Sequence, residues 1–299
     1  MIILGAGLAG CLAAVLNQNS TIFEPFGNKE THKAILRFRS DEIGKAVGIP
    51  FKKVKVYKGI SLDGQDVPLS PRLITMYSRK VSDTLSARSI TKLETVDRWV
   101  APDNFHAMLK DMLDDRIYYN IDIESHSEFT DIQTPKISTL PLKVLSNMLG
   151  TYINTETRSS GIFVTKYKLV DCDINMTVYF PSPETMVYRA SISESELIIE
   201  SIYPITTKDV STVRWAMGMM LMRPECICFN DEQLNGKISP MNEEIRKEFI
   251  FKTTVQNNIY SLGRFATWRN LIMDDVYKDI QVIKKLMNQS NYDRVIKWK

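Results

Sequence analysis

Histidine and cysteine are both scarce in this sequence. Three histidines, His32, His106 and His126, and four cysteines, Cys11, Cys172, Cys226 and Cys228, occur in 299 residues. No histidine stands at metal-ligand spacing from a cysteine, and Cys226 and Cys228 form C-x-C rather than C-x-x-C. Neither a zinc site nor a disulfide framework is indicated, and reduced thiols are expected. Long apolar runs are missing as well. None approaches the roughly 20 residues that span a bilayer, so no membrane partner is expected. No basic segment precedes the apolar start at Met1, as a secretory leader would require. The expected location is the cytoplasm. No repeat, low-complexity tract, zinc-finger pattern or RNA-binding aromatic motif is visible.

Charge is nearly balanced, with a formal net charge of +3. Hydrophobic residues make up 44% and charged residues 24%. That is ordinary for a globular chain able to bury one large core or two modest ones. Lys and Arg gather between Lys33 and Lys58, with Arg37, Arg39, Lys45, Lys52, Lys53 and Lys55 between them. Such a run reads first as a solvated face. Its functional reading is an anionic partner, which leaves nucleic acid open although no motif indicates it.

The chain opens Ile2-Ile3-Leu4-Gly5-Ala6-Gly7-Leu8-Ala9-Gly10. Ile2 to Leu4 predict a short strand buried on both faces, and Cys11 to Leu16 continue as an apolar helix. Ser20 to Phe23 predict a second strand, ending at Glu24. Gly5, Gly7 and Gly10 fit G-x-G-x-x-G, and the acid falls near the roughly 20-residue spacing of a dinucleotide-binding unit. Gly5 permits the tight turn, Gly7 lets a pyrophosphate approach the backbone, and Gly10 lets helix and strand pack closely. Ala6, Leu8 and Ala9 complete the cofactor-binding loop, whose helix N-terminus favours phosphate. Glu24 accepts ribose hydroxyls and repels a 2′-phosphate, which disfavours NADP. It does not separate FAD from NAD.

Regular β-α alternation stops there. Strands are expected at Lys53–Tyr57, Arg116–Ile121 and Lys136–Leu140, with turns at Asp63-Gly64 and Ser70-Pro71. Asp103 is expected to cap a helix reaching Leu113, and Pro141 to start one through Leu149. Gly161–Val170, Met176–Phe180, Met186–Ile192 and Glu196–Ile202 read as an antiparallel meander. A helix near Lys208–Leu221 follows, with Met217, Met219 and Met220 as core filler. Asn258–Leu262 reads as a strand, and Met273–Met287 as an amphipathic helix. The expected fold is α/β: a Rossmann-like cofactor domain with an inserted substrate domain containing an antiparallel sheet. Residues 1–45, 100–140 and 245–299 are assigned to the cofactor domain, and 46–99 and 141–244 to the substrate domain.

A second informative stretch is Ile259-Tyr260-Ser261-Leu262-Gly263-Arg264-Phe265-Ala266-Thr267-Trp268, followed by Met273-Asp274-Asp275-Val276. It resembles the C-terminal cofactor-contacting segment of the flavin amine oxidase superfamily, in its UDP-galactopyranose mutase and protoporphyrinogen-oxidase-like branch. Ser138-Thr139-Leu140-Pro141 resembles that family's segment before a short helix. Where the family carries a Gly-Gly pair after the strand-2 acid, this chain reads Glu30-Thr31-His32-Lys33. The resemblance implies FAD as cofactor and hydride transfer between a small substrate, an amine or amino acid, and the flavin. It implies Gly263 and Arg264 beside the flavin and pyrophosphate, and backbone N–H groups of Met273, Asp274 and Asp275 at the ribityl chain or pyrimidine end. His32 and Arg264 become the candidate catalytic residues, with His32 near the ring.

Arg72, Tyr77, Arg79, Lys80 and Arg88 form a basic stretch suited to an anionic substrate, and Trp99 and Trp268 are candidate pocket walls. Two alternatives remain open. One is a redox-neutral mutase of a sugar nucleotide, with Arg72, Arg79 and Arg88 on the diphosphate. The other is a non-catalytic dinucleotide-binding protein that engages a partner through its basic face.

Overall fold

Ile3 and Leu4 have no solvent-accessible surface, and Ile2 to Leu4 pair with a strand on either side. That is the environment in which an unbroken apolar triplet is stable as a strand. The structure is a computed structural model. It describes residues 1–28, 35–82, 90, 93–123, 129, 131–151, 153, 159–169, 173–218, 228–238 and 240–289.

The chain begins β1 (Ile2–Leu4), α1 (Leu8–Val15), β2 (Thr21–Glu24), β3 (Arg37–Phe38) and α2 (Glu42–Val47). Next come β4 (Lys52–Leu62), β5 (Gln65–Asp66), α3 (Pro71–Ser82) and β6 (Val96–Val100). Then follow α4 (Phe105–Asp111), β7 (Ile117–Tyr119), β8 (Lys136–Ser138) and α5 (Leu142–Met148). The meander is β9 (Ser159–Lys168), β10 (Asn175–Tyr179), β11 (Val187–Ser193) and β12 (Glu196–Ser201), continued by α6 (Thr207–Ala216) and β13 (Cys228–Ile238). The chain closes with α7 (Glu243–Asn257), β14 (Ile259–Ser261), α8 (Arg264–Thr267) and α9 (Met273–Met287). The chain divides into one unit of Met1–Lys52, Trp99–Thr157 and Met241–Lys299, and another of Lys53–Arg98 and Arg158–Pro240.

The first unit is built on a parallel sheet in the order β14-β8-β1-β2-β7. Helices α1, α4 and α9 share its core: Leu12, Ala13 and Ala14 of α1 belong to one cluster with Phe105 and Leu109 of α4 and Val276 and Ile280 of α9. Small residues on α1 allow the close approach. Phe38 stacks on Phe51 at 4.6 Å, and both meet Phe105 edge-on at 6.1 and 5.3 Å. Helix α5, assigned from sequence to the substrate domain, clusters here and packs on α8.

In the second unit the sheet runs β13-β9-β12-β11-β10-β4-β6, with β5 folded back on β4. The pairs from β13 to β10 are antiparallel, and β10 pairs with β4 in parallel. One face packs Val178, Ala190, Ile192 and Ile199 against Val213 and Met217. Helix α6 starts in a capping box: Thr206 accepts the Asp209 N–H, and the Asp209 carboxylate accepts the Thr206 N–H. It ends at Ala216 instead of Leu221, because Gly218 adopts φ +68° just beyond it. Met217 is core as expected, whereas Met219 and Met220 lie outside the described residues. The N-cap of α4 is Asn104 rather than Asp103, and neither side chain caps it.

Candidate functional site

The three glycines of the first turn do different things. Gly5 has φ +98°, and a Cβ there would stand 2.5 Å from Thr139 Oγ1. At Gly10 a Cβ would overlap the Gly5 carbonyl oxygen. Both positions need glycine for the fold itself. Gly7 is the exception. Its backbone, φ −67° and ψ 171°, suits any residue, and a Cβ there would meet nothing within 4 Å. The space over Gly7 is therefore not required by the packing of the chain.

The polar backbone groups of this turn are sorted by direction. Leu4 O accepts from Thr139 N and Thr139 Oγ1, each at 2.9 Å. Ala6 O accepts from Cys11 Sγ at 3.2 Å and lies 3.1 Å from His106 Nε2. Gly7 O accepts from Cys11 N at 2.9 Å. On the donor side, Gly5 N–H goes to Phe23 O at 2.9 Å and Ala6 N–H to Glu24 Oε2 at 2.6 Å. The N–H groups of Gly7 and Leu8 have no acceptor among the described residues. The carbonyls from Leu4 to Gly7 are engaged while the Gly7 and Leu8 N–H groups are not, and Gly7 is exposed, which suits an anion cradle. At the far end of α1, Arg116 donates to Gln18 O at 2.7 Å and Lys284 to Leu16 O at 2.7 Å. Cations there complement the negative end of the helix dipole. Burial pushes the Cys11 thiol up to about 12, so it stays protonated and keeps donating.

Glu24 does more than the fingerprint requires. Besides Ala6 N–H, its carboxylate accepts Phe26 N–H at 3.0 Å, so it ties the end of β2 to the glycine turn.

The C-terminal motif arrives at the same turn. Gly263 has φ +92°, and a Cβ there would lie 3.3 Å from Ala9 Cβ, on the first turn of α1. Arg264 Nη2 donates to Leu271 O at 3.1 Å, bracing the loop that leads into α9. Arg246, buried and paired with Glu243, donates to Thr267 O at 3.1 Å and holds α8 from behind. At the start of α9, Asp275 N–H bonds to Ile272 O at 3.0 Å, so it is not on offer to a ligand as expected. Asp274 Oδ1 accepts Arg39 N–H at 2.8 Å, while its buried Oδ2 has no hydrogen bond among the described residues. Met273 is partly buried against the core of this unit. The hydroxyls of Ser138 and Ser261, at the carboxyl ends of β8 and β14, are likewise buried and unpaired among the described residues.

Other expectations resolve differently. His32 and Arg88 lie outside the described residues. Tyr77 is buried edge-on against Tyr179 at 5.4 Å. Lys80 Nζ donates to Phe180 O, Ser182 O and Val187 O at 2.9, 2.6 and 2.6 Å. Burial pulls its ammonium down to about 7, against the pull of Asp209. Both residues hold α3 to the sheet instead of facing a ligand, and Arg72 and Arg79 sit on the same helix. Lys45 and Lys53 pair with Asp41 and Asp97, as a solvated face does. Trp99 is partly buried against the core and Trp268 is buried. Among the described residues no three His, Cys, Asp or Glu side chains could together hold a metal, and no helix is long and apolar enough to cross a membrane. His106 has no role in the sequence reading beyond lacking metal-ligand spacing, because a lone histidine on an apolar helix gives no signal.

No protein-family model matches the sequence, and no curated protein matches it. Solved structures do share the fold. A protein from Exiguobacterium sp. 255-15, assigned as a protoporphyrinogen oxidase, superposes with TM-score 0.55 at 9% identity, over 96% of this chain and 98% of its own. An oxidoreductase from Methanosarcina mazei gives 0.54 at 9% identity, covering 95% and 99%. A 2-methyl-3-hydroxypyridine-5-carboxylic acid oxygenase gives 0.52 at 12% identity, covering 99% and 85%.

Proposed function

We propose that the first unit binds FAD and that the protein is a flavin-dependent oxidoreductase acting on a small molecule. One observation carries the reading. The carbonyls of Gly5, Ala6 and Gly7 are all engaged, the Gly7 and Leu8 N–H groups have no acceptor among the described residues, and the space over Gly7 is clear. A diphosphate fits that arrangement. The likeness to an oxygenase and two oxidoreductase-type proteins supports the redox half of the reading.

Each polar group left over has a part in it. The Gly7 and Leu8 N–H groups would hold the pyrophosphate, with the positive end of α1 behind them. Glu24, engaged by two backbone N–H groups, keeps lone pairs for the adenosine ribose hydroxyls. Asp274 Oδ2 would accept from a hydroxyl or N–H of the cofactor's other half, ending its unpaired state. Arg264 would act on the cofactor through the loop to Leu271 and the start of α9. When bound, the flavin supplies the redox chemistry by exchanging a hydride with the substrate. The chain's own task is to bind and orient it.

The visible spectrum of purified protein tests this. Flavin absorption bands, FAD released on denaturation, and anaerobic bleaching by candidate amines or amino acids are expected. Colourless protein that takes up NAD but not FAD would overturn the flavin assignment. Flavin that no substrate bleaches would leave a binding protein.

A further inference from the structure

We infer that His106 is a positioning residue for the phosphate cradle, holding the Ala6 carbonyl so that the Gly7 N–H faces the ligand. The inference rests on reading the Gly5–Gly10 turn as a diphosphate site.

His106 lies in α4, which packs on α1, and is only 5% exposed. Its neighbours Phe105 and Leu109 belong to the apolar core of the unit. A polar ring in such a place costs free energy unless it is hydrogen-bonded, and Nε2 lies 3.1 Å from Ala6 O. A carbonyl oxygen can only accept. Nε2 therefore carries the hydrogen, in the neutral ring and in the cation alike.

The consequence follows from peptide planarity. In a trans peptide the carbonyl of one residue and the N–H of the next point in opposite directions, and the chain has no cis bond among its described residues. Drawing Ala6 O towards His106 thus turns Gly7 N–H towards the open side, where a Cβ on Gly7 would meet nothing. Were this peptide to flip, a carbonyl would face the cradle and repel phosphate. Cys11 Sγ grips the same oxygen at 3.2 Å, as a weaker donor. Glu24 holds the preceding peptide through Ala6 N–H. Ala6 is fixed at both of its peptide groups, and the imidazole is the stronger of the two donors on its carbonyl.

The test uses calorimetric titration of flavin-free protein with ADP and with adenosine, alongside thermal unfolding. His106→Leu should weaken ADP about tenfold or more, the share of a charge-assisted hydrogen bond, and adenosine by less than about threefold. His106→Gln retains an N–H donor and should keep ADP within about threefold of wild type. Unchanged ADP affinity in folded His106→Leu would overturn the inference, and so would an equal loss for ADP and adenosine. If the Leu variant does not fold, the wild-type Gly7 amide resonance decides. It should move downfield when ADP binds, and ADP binding without that shift also overturns the inference. Wild-type protein that binds neither ADP nor FAD removes the diphosphate reading itself, a separate failure.

Discussion

Glu24 Oε2 accepts the Ala6 N–H at 2.6 Å, joining the last residue of β2 to the middle of the glycine turn. The same carboxylate takes Phe26 N–H, so Glu24→Ala should harm the protein even without ligand. The expected loss is about 1.5–3 kcal/mol of unfolding free energy in urea titration of flavin-free protein. Glu24→Gln keeps one acceptor and should lose less. If Glu24→Ala changes only cofactor affinity and leaves stability untouched, the bonds to Ala6 and Phe26 carry no weight.

Gly7 and Gly10 should separate binding from folding. Gly7→Val enters open space on a backbone that any residue adopts. It should remain folded by circular dichroism and lose FAD, because its side chain occupies the space a pyrophosphate needs. Gly10→Ala drives a methyl into the Gly5 carbonyl, and should cost about 1–3 kcal/mol of stability. The opposite pattern, an unstable Gly7 variant beside a stable Gly10 variant, would refute the division of labour among these glycines.

Arg264 spans its own loop, from α8 to Leu271 O. Arg264→Ala should reduce FAD affinity about tenfold by freeing the start of α9. Because the loss is one of affinity, excess FAD should restore flavin occupancy and turnover together. Arg264→Lys should recover only part, since it lacks the planar fork. A variant that stays fully loaded yet turns over slowly would move Arg264 to the substrate.

Asp209 links the second unit to pH. Burial alone would raise its carboxyl. Bonds from Thr206 Oγ1 and Thr185 Oγ1, both 2.7 Å, and from Thr206 and Met186 N–H outweigh that and hold it below the ordinary value. The folded pKa is thus depressed relative to the unfolded one. The stabilisation is complete above the unfolded value, about pH 4, and is lost as pH falls through the lower folded value. Asp209→Asn should be less stable at neutral pH and should show a shallower acid decline than wild type. Equal acid slopes in the two proteins would remove Asp209 from the account.

The start of the chain was legible because Gly5 and Gly10 answer to steric demands of the fold that sequence spacing expresses, with the open position at Gly7 between them. The antiparallel meander was legible through apolar alternation. Two helices left signals that went unread. α7 has Asn242 bonded to Glu244 and Ile245 N–H, with acids in its first turn. α3 has Pro71 at its first position and Leu73, Tyr77 and Val81 along one buried stripe, a pattern obscured by attention to its charges. β13 left almost none: Cys228–Ile238 is mostly polar, and among the described residues the strand pairs only with β9, at the sheet edge. The grip of His106 on Ala6 O was invisible for another reason. It joins residues a hundred positions apart, and no local pattern encodes such a contact.

The strand order also governs when the first unit can exist during synthesis. Leaving the ribosome, β1 and α1 meet β2 at once, since the three are consecutive. The other flank of β1 has to wait for Lys136–Ser138, and that strand in turn waits for Ile259–Ser261. Residues 53–98 are translated before β8 can pair with β1, and residues 158–240 before β14 can pair with β8, so a strand of the sheet keeps an unpaired edge through both intervals. The nascent cradle thus passes most of translation half-built, and this interval is when the chain is most exposed to mispairing and most dependent on being shielded.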